Sequence, residues 1–141
     1  MKELMILFIL LAILAFGAAG QSTLQPGRIS SVPPAIKKCG ALYSYDTVAL
    51  SKRQYILLAD FQDLAIMEIA GKHVNLKLTA AKTIGKTNIS TYSGGGFTII
   101  LTSVTTGSSG KTDFETGTIE IQKGKDKKLV KMHGQSACDD K

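Results

Sequence analysis

The sequence predicts an all-β protein: a small antiparallel β-barrel or sandwich with a terminal disulfide, preceded by a signal peptide. Short β-branched segments separated by Gly, Ser and Asn turns indicate strands, and the cysteines Cys39 and Cys138 stand near opposite ends of one domain. The 141-residue length suits a single domain. We therefore divide the chain into a signal peptide over 1–20, an extended or disordered lead-in over 21–38, a β domain over 39–138 and a tail over 139–141.

The N-terminal segment has the pattern of a secretory signal peptide. Leu4 to Phe16 contains no polar side chain, and as a helix it would rise about 20 Å, short of the ~30 Å hydrocarbon core of a bilayer. Small residues follow, and they favour cleavage after Gly20, with Ala19 as the alternative cleavage point. The sequence therefore predicts export to the periplasm or beyond the cell, with no stable membrane span after cleavage. An uncleaved membrane anchor is the alternative interpretation.

The charge balance favours anionic partners. The chain carries a net charge of +6, which suits a protein with an acidic surface or an anionic envelope component such as an acidic glycan or a lipid head group. Nucleic acid is not expected as a partner because exported proteins seldom meet it. A charge that only aids solubility would give the same composition.

The two cysteines are expected to form a disulfide. In an oxidising compartment, cysteines near the two ends of a small domain usually pair. Neither Cys39 nor Cys138 has a second cysteine at CxxC spacing, so neither thiol redox catalysis nor a cysteine zinc site is predicted.

The first half of the β domain shows strand periodicity. Order is expected to begin near Cys39, after the Pro-containing lead-in. Tyr55–Ala59 and Leu64–Ile69 are short apolar runs, and in Val74–Leu78 apolar and polar residues alternate with period two. The turn Ala70–Lys72 joins the last two runs into a predicted hairpin. Helical spacing over Asp60–Ile69 leaves a helix there as the alternative.

The second half predicts three more strands. Gly96–Thr105 is rich in β-branched residues, which favour a strand over a helix. Thr118–Gln122 is expected to pair with Lys128–His133 across the polar turn Lys123–Lys127. Gly107–Lys111 is expected to be an exposed loop.

No catalytic constellation is predicted, and the protein is expected not to be an enzyme. Two Gly-Lys-Thr segments lack the glycine that a phosphate-binding loop requires five positions earlier. His73 and His133 are the only histidines, and both are interpreted as surface residues. The acidic residues carry no spacing that indicates a glycosidase pair, and neither a metal site nor a cofactor is expected.

Two surface features are candidate binding sites. Ser90, Tyr92 and Ser93 precede three glycines and are expected to form a recognition loop, although the glycines could instead only permit a bulge or a tight turn. The second feature is a basic patch, which a solvated hairpin tip would explain equally well; it consists of Lys123, Lys125, Lys127 and Lys128.

The middle of the chain carries a family resemblance. A strand, a Gly-Lys turn and a second strand over Ala65–Leu78 precede the Ser- and Tyr-containing segment Ser90–Phe97. The ending, Gly117–Ile121 through Lys131–Cys138, is similar to uncharacterised exported relatives that finish in a Gly-x-x-x-Cys-like motif. The chain thus resembles small exported bacterial β-barrel proteins of the C-type lysozyme inhibitor kind. The resemblance implies an inhibitor that inserts a loop into a lysozyme's catalytic cleft. Our functional hypothesis is an exported, non-catalytic binding or interaction protein, with a lysozyme inhibitor and a cell-envelope accessory protein as alternatives.

Overall fold

The computed structural model describes residues 24–138. Eight strands and two short helices make up the fold. The strands are β1 (Cys39–Ser44), β2 (Leu57–Asp60), β3 (Leu64–Ile69), β4 (Lys72–Ile84), β5 (Thr87–Gly94), β6 (Phe97–Ser109), β7 (Thr112–Lys123) and β8 (Asp126–Cys138). The helices are α1 (Pro34–Lys38) and α2 (Thr47–Ser51). The predicted signal peptide, both cleavage points and the tail over 139–141 lie outside the described residues.

The strands form a closed antiparallel barrel. Each strand pairs with the next along the chain, and β1 pairs with β8 to close the ring. Closure gives every strand two neighbours, although β4 beyond Leu78 pairs only with β5. Cys39 and Cys138 stand directly opposite each other in the β1–β8 pairing and form a disulfide. The all-β prediction and the disulfide are therefore confirmed, and the choice between barrel and sandwich is resolved as a barrel.

Several local predictions are corrected. Leu64–Ile69 is strand β3, so the alternative of a helix there is wrong; its neighbours β2 and β4 both pair with it. The expected loop Gly107–Lys111 is largely strand, because a bulge between Thr105 and Gly107 lets β6 continue to Ser109. The β7–β8 turn is likewise shorter than predicted, since the two strands pair as far as Lys123 and Asp126.

The barrel has two distinct ends. The turns β2–β3, β4–β5 and β6–β7 lie at the same end as Cys39 and Cys138, which we call the disulfide end. The β1–β2 connection and the turns β3–β4, β5–β6 and β7–β8 lie at the other end, which we call the lysine end. An eight-stranded barrel has an interior just wide enough to be filled by side chains or to hold one small ligand.

Large apolar side chains fill the middle of the barrel and its lysine end. They come from the inward-facing row of each strand, which repeats every second residue, and each stabilises the fold by roughly 1.5–3 kcal/mol when fully buried. These apolar side chains include Leu57, Met67, Ile69, Leu76, Ile99, Ile119 and Ile121.

The segment before β1 packs against the barrel. Leu24 is buried in the interior core, and Ile29 pairs with Tyr55 through a β-bridge. Ile36 of α1 joins a second apolar cluster with Ile29 and Tyr55. Residues well before Cys39 are therefore packed, whereas the composition predicted order only from near Cys39. The reason is that isolated apolar residues of this segment enter sites that the strands provide. No helix within residues 24–138 is long and apolar enough to cross a bilayer.

Candidate functional site

A hollow lies inside the disulfide end of the barrel. Ala41 of β1 pairs with Ala59 of β2, and both of these small side chains line the hollow. The hollow has a volume of about 170 Å³, which at ~30 Å³ per liquid water corresponds to roughly six water molecules. It is lined by Ala41, Tyr43, Ala59, Asp60, Phe61, Asn88, Ser90, Tyr92, Leu101, Ser103 and Glu115. A small molecule fits this space, whereas a typical drug-sized ligand does not.

A carboxylate lies at the inner wall of this hollow. Glu115 projects inward from β7 and is only 9% exposed. It accepts a hydrogen bond from the Tyr43 hydroxyl at 3.0 Å and another from the Ser103 hydroxyl at 3.1 Å. Both donors are neutral, and burying a carboxylate without a cationic partner is costly. When ionised, Glu115 thus places a fixed negative charge beside a space that a ligand can enter.

A glycine makes the Tyr43–Glu115 hydrogen bond possible. Tyr43 of β1 pairs with Gly134 of β8, and Gly134 pairs with Glu115 of β7. The phenol crosses the middle strand at the position that has no side chain. A Cβ on residue 134 would lie 2.6 Å from Tyr43 Cε1, closer than real Cβ contacts come. Glycine is therefore required here for space.

Two buried phenols border the carboxylate. Burial, followed by the Glu115 charge, raises the pKa of Tyr43 far above its ordinary value of 10.0. Burial also raises the pKa of Tyr92; its hydrogen bond with Ser90 opposes this shift, and the charges of Asp60 and Glu115 add to it. Both phenols consequently stay protonated at neutral pH, and Tyr43 remains a donor to Glu115.

The β2–β3 turn forms the mouth of the hollow. Asp60 Oδ1 accepts hydrogen bonds from the backbone N–H groups of Gln62, Asp63 and Leu64 at 2.9–3.0 Å, a side-chain-to-backbone arrangement that fixes the turn. Phe61 stands at the mouth with 54% of its surface exposed. An adjoining hollow of about 140 Å³ shares Asp60 and Phe61 with the first. The mouth therefore combines an acidic group with an exposed aromatic ring.

The predicted recognition loop is a strand. Ser90, Tyr92 and Ser93 lie within β5. Ser90 and Tyr92 line the acidic hollow, whereas Ser93 lines a separate groove on the barrel. The turn that follows consists of Gly95 and Gly96, both with positive φ, as a two-residue hairpin turn requires. The structure thus brings two of the three residues to the hollow and none of them to an exposed loop.

The candidate basic patch lies at the opposite end of the molecule. Its lysines belong to the β7–β8 hairpin. The Lys123 ammonium stands 4.9 Å from the centre of the Phe97 ring. It lines a groove of about 600 Å³ together with Lys72 and His73. The acidic hollow and the lysines are therefore separate features, one at each end of the barrel.

The histidines do not meet in one place. His73 is exposed, with Nε2 3.3 Å from Glu68 Oε2. His133 lies within β8, paired with Thr116 and Ser44, because the strand predicted over Lys128–His133 continues to Cys138. Over the part of the chain that the structure describes, no group of three or more His, Cys, Asp or Glu side chains could hold a metal ion.

The fold and the site define an up-and-down eight-stranded barrel with an acidic hollow at one end and lysines at the other. Sequence reasoning missed Tyr43 and Ser103 and set Glu115 aside among acidic residues without distinguishing context. No protein-family model matches the chain, and no curated protein or solved structure matches it either.

Proposed function

We propose that this protein is an exported, non-catalytic binding protein that holds a small organic cation in its acidic hollow. The observation that carries the proposal is the buried Glu115 carboxylate, held by two neutral hydroxyls at the wall of the 170 Å³ space. A cation that entered the hollow would neutralise this buried charge, which water reaches only partly.

The rest of the lining favours an organic cation over a metal ion. Tyr43, Tyr92 and Phe61 supply aromatic surface, and aromatic rings attract ammonium groups by about 0.5–2 kcal/mol each. Asp60 at the mouth adds a second negative charge along the entry path. Aromatic rings combined with carboxylates suit a primary or quaternary ammonium group, whereas Ca²⁺ requires six to eight oxygen ligands.

The titration of the phenols supports binding over catalysis. Efficient general acids and bases have pKa values near the working pH. Burial and the Glu115 charge move the pKa of Tyr43 away from that range. Tyr43 and Ser103 both donate to the carboxylate and fix its position, as a binding site requires.

Export is supported by two features. The disulfide between Cys39 and Cys138 suits an oxidising compartment, and the apolar run Leu4–Phe16 has the length of a signal peptide core. A ligand from outside the cytoplasm would therefore be the relevant one.

Calorimetric titration tests the proposal. The disulfide-bonded protein, as recovered from an exporting cell, is titrated with ethanolamine, putrescine, choline and tetramethylammonium. The uncharged isostere 3,3-dimethylbutanol serves as the control for choline. We expect at least one of these cations to bind and 3,3-dimethylbutanol not to bind.

A matched pair of variants locates the site. Glu115→Gln should weaken binding by at least about 30-fold, because breaking a buried charge pair costs ~2 kcal/mol or more. Glu120→Gln removes the same charge from the adjacent outward-facing row of β7 and should leave the affinity unchanged. Equal affinities of wild type and Glu115→Gln, or failure of every cation to bind, would overturn the proposal.

Inhibition of a lysozyme remains a separate prediction from the family resemblance. Insertion of a loop would use groups on the outside of the barrel, whereas Tyr92 faces its interior. A lysozyme activity assay on the same preparation separates the two ideas. Inhibition that Glu115→Gln leaves intact would support an inhibitor that acts independently of the hollow.

A further inference from the structure

At the lysine end, the inward rows of β4 and β7 end in lysines, and a third lysine is the second residue of the inward row of β8, after Asp126. Lys72 precedes Val74 and Leu76 on the inward row of β4 and pairs with the buried Ile69. Lys128 of β8 pairs with the buried Ile121. Lys123 follows Ile121 by two residues on β7 and therefore continues its row. These three side chains, which we call the basic rim, surround the end of the barrel that lies opposite the acidic hollow.

The rim is spread across the end face. In the closed order β1 to β8, strands β4 and β8 stand on opposite sides of the ring. Lys125 in the β7–β8 turn and Lys127 on β8 add positive charge beside the rim. The acidic groups at this end are Asp126, which is opposite Lys123 in the ladder, Glu68, which contacts His73, and Asp46, which caps α2 in the β1–β2 connection. The end face therefore has a distributed positive charge and not a single anion pocket.

From this arrangement we propose that the lysine end docks on an anionic lipid surface. Charges spread across a barrel end fit a flat, diffuse layer of negative head groups better than they fit one discrete anion. The β1–β2 connection at the same end presents Val48, which is 58% exposed, beside the exposed Lys52. An exposed apolar side chain among lysines suits the head-group region.

Docking through the basic rim would orient the whole barrel. The β2–β3 turn at the mouth of the acidic hollow lies at the disulfide end, so the mouth would face away from the lipid surface. This inference is independent of the ligand proposed for the hollow.

Vesicle sedimentation tests the docking. The disulfide-bonded protein is mixed with vesicles of phosphatidylcholine alone or of phosphatidylcholine with phosphatidylglycerol, in about 0.1 M salt, where the Debye length is ~10 Å. We expect binding to the anionic vesicles, little binding to neutral ones, and release as salt is raised. Equal binding to both vesicle types would overturn the proposal.

Two triple variants distinguish binding through a specific docking face from binding that depends only on the net charge of the protein. Each surface lysine contributes about fivefold to binding on an anionic membrane, so Lys72→Gln, Lys123→Gln and Lys128→Gln combined should weaken binding roughly 100-fold. The control triple Lys77→Gln, Lys82→Gln and Lys86→Gln removes the same charge from exposed positions elsewhere on the barrel.

The control triple is expected to bind nearly as well as the wild type. If the two triple variants lost the same amount of vesicle affinity, the effect would be one of net charge only, and the proposal of a docking face would be overturned. Sedimentation with an acidic polysaccharide but not with anionic vesicles would overturn the choice of a lipid surface. Thermal unfolding of both triples checks that each is folded.

Discussion

The substitution Gly134→Ala tests whether the site depends on the bare position in β8. A Cβ there would stand 2.6 Å from Tyr43 Cε1, whereas ordinary contacts begin at 3.4 Å. The ring must therefore retreat by about an ångström, and the 3.0 Å hydrogen bond from Tyr43 to Glu115 would be lost. Overpacking of about 1–3 kcal/mol and loss of a hydrogen bond to a charged group of about 1.5–3 kcal/mol give a combined cost of roughly 2.5–6 kcal/mol.

Urea unfolding measures this cost. The midpoint should fall while the slope of the free energy against urea stays constant, which indicates a change of stability alone. Gly107→Ala is the matched control. A Cβ on residue 107 has nothing within 4 Å, and Gly107 does not have a positive φ, so its effect should stay within about 0.5 kcal/mol.

A double-mutant cycle tests whether the Tyr43 ring is the group with which the new Cβ on residue 134 collides. In a Tyr43→Ala background the ring is absent, so Gly134→Ala should cost little more. The interaction energy between positions 43 and 134 should then exceed about 1.5 kcal/mol, within the range for residues in contact. Additive effects, or equal stability of Gly134→Ala and Gly107→Ala, would refute the reasoning.

Three further predictions concern the disulfide, the phenols and the lead-in. Replacing Cys39 and Cys138 by Ser opens a link across a sequence separation of 99 residues and should lower the free energy of unfolding by up to about 4.7 kcal/mol; a loss below about 1 kcal/mol in urea would contradict this. Because burial and Glu115 raise the pKa of Tyr43 above its unfolded value of 10.0, its contribution is complete below that pH and declines above it, by about 1.4 kcal/mol per pH unit. Tyr43→Phe should remove this part of the alkaline slope, and an unchanged slope would count against the burial argument. Leu24→Ala should cost about 2–3 kcal/mol by emptying its place in the core, whereas an unchanged thermal midpoint would show that the lead-in does not stabilise the barrel.

Local pattern predicted the strands that bury one face strongly. Val74–Leu78 and Thr118–Gln122 alternate clearly, and both lie within strands, β4 and β7. Strand β1 was missed because Cys39–Ser44 is short and contains two small residues, Gly40 and Ala41. Closure by β1–β8 pairing joins residues almost a hundred positions apart, and no local periodicity reports such a contact. A barrel could therefore not be distinguished from a sandwich before the structure.

The prediction of an extended or disordered lead-in was wrong for the described residues 24–38, and the physical reason is related. Over residues 24–38 the buried residues are Leu24, Pro26, Ile29 and Ile36, which follow no single helical or strand period. Leu24 enters the barrel, while Ile29 and Ile36 pack together on its outer face. Such contacts depend on surfaces formed by distant strands, so composition alone suggested an extended or disordered segment.

Glu115, the central residue of the site, could have been found with the same period-two alternation that predicted the strands. Ile119 and Ile121 mark the inward row of β7, and counting back by two reaches Gly117 and then Glu115. A carboxylate on a core row is unusual, since charged residues are rarely buried without a partner. Its neighbours could not be found in this way, because Tyr43 reaches Glu115 only across Gly134 in the closed ring. An acidic residue on the same row as two buried isoleucines therefore marked the position of the site, and only barrel closure could show what surrounds it.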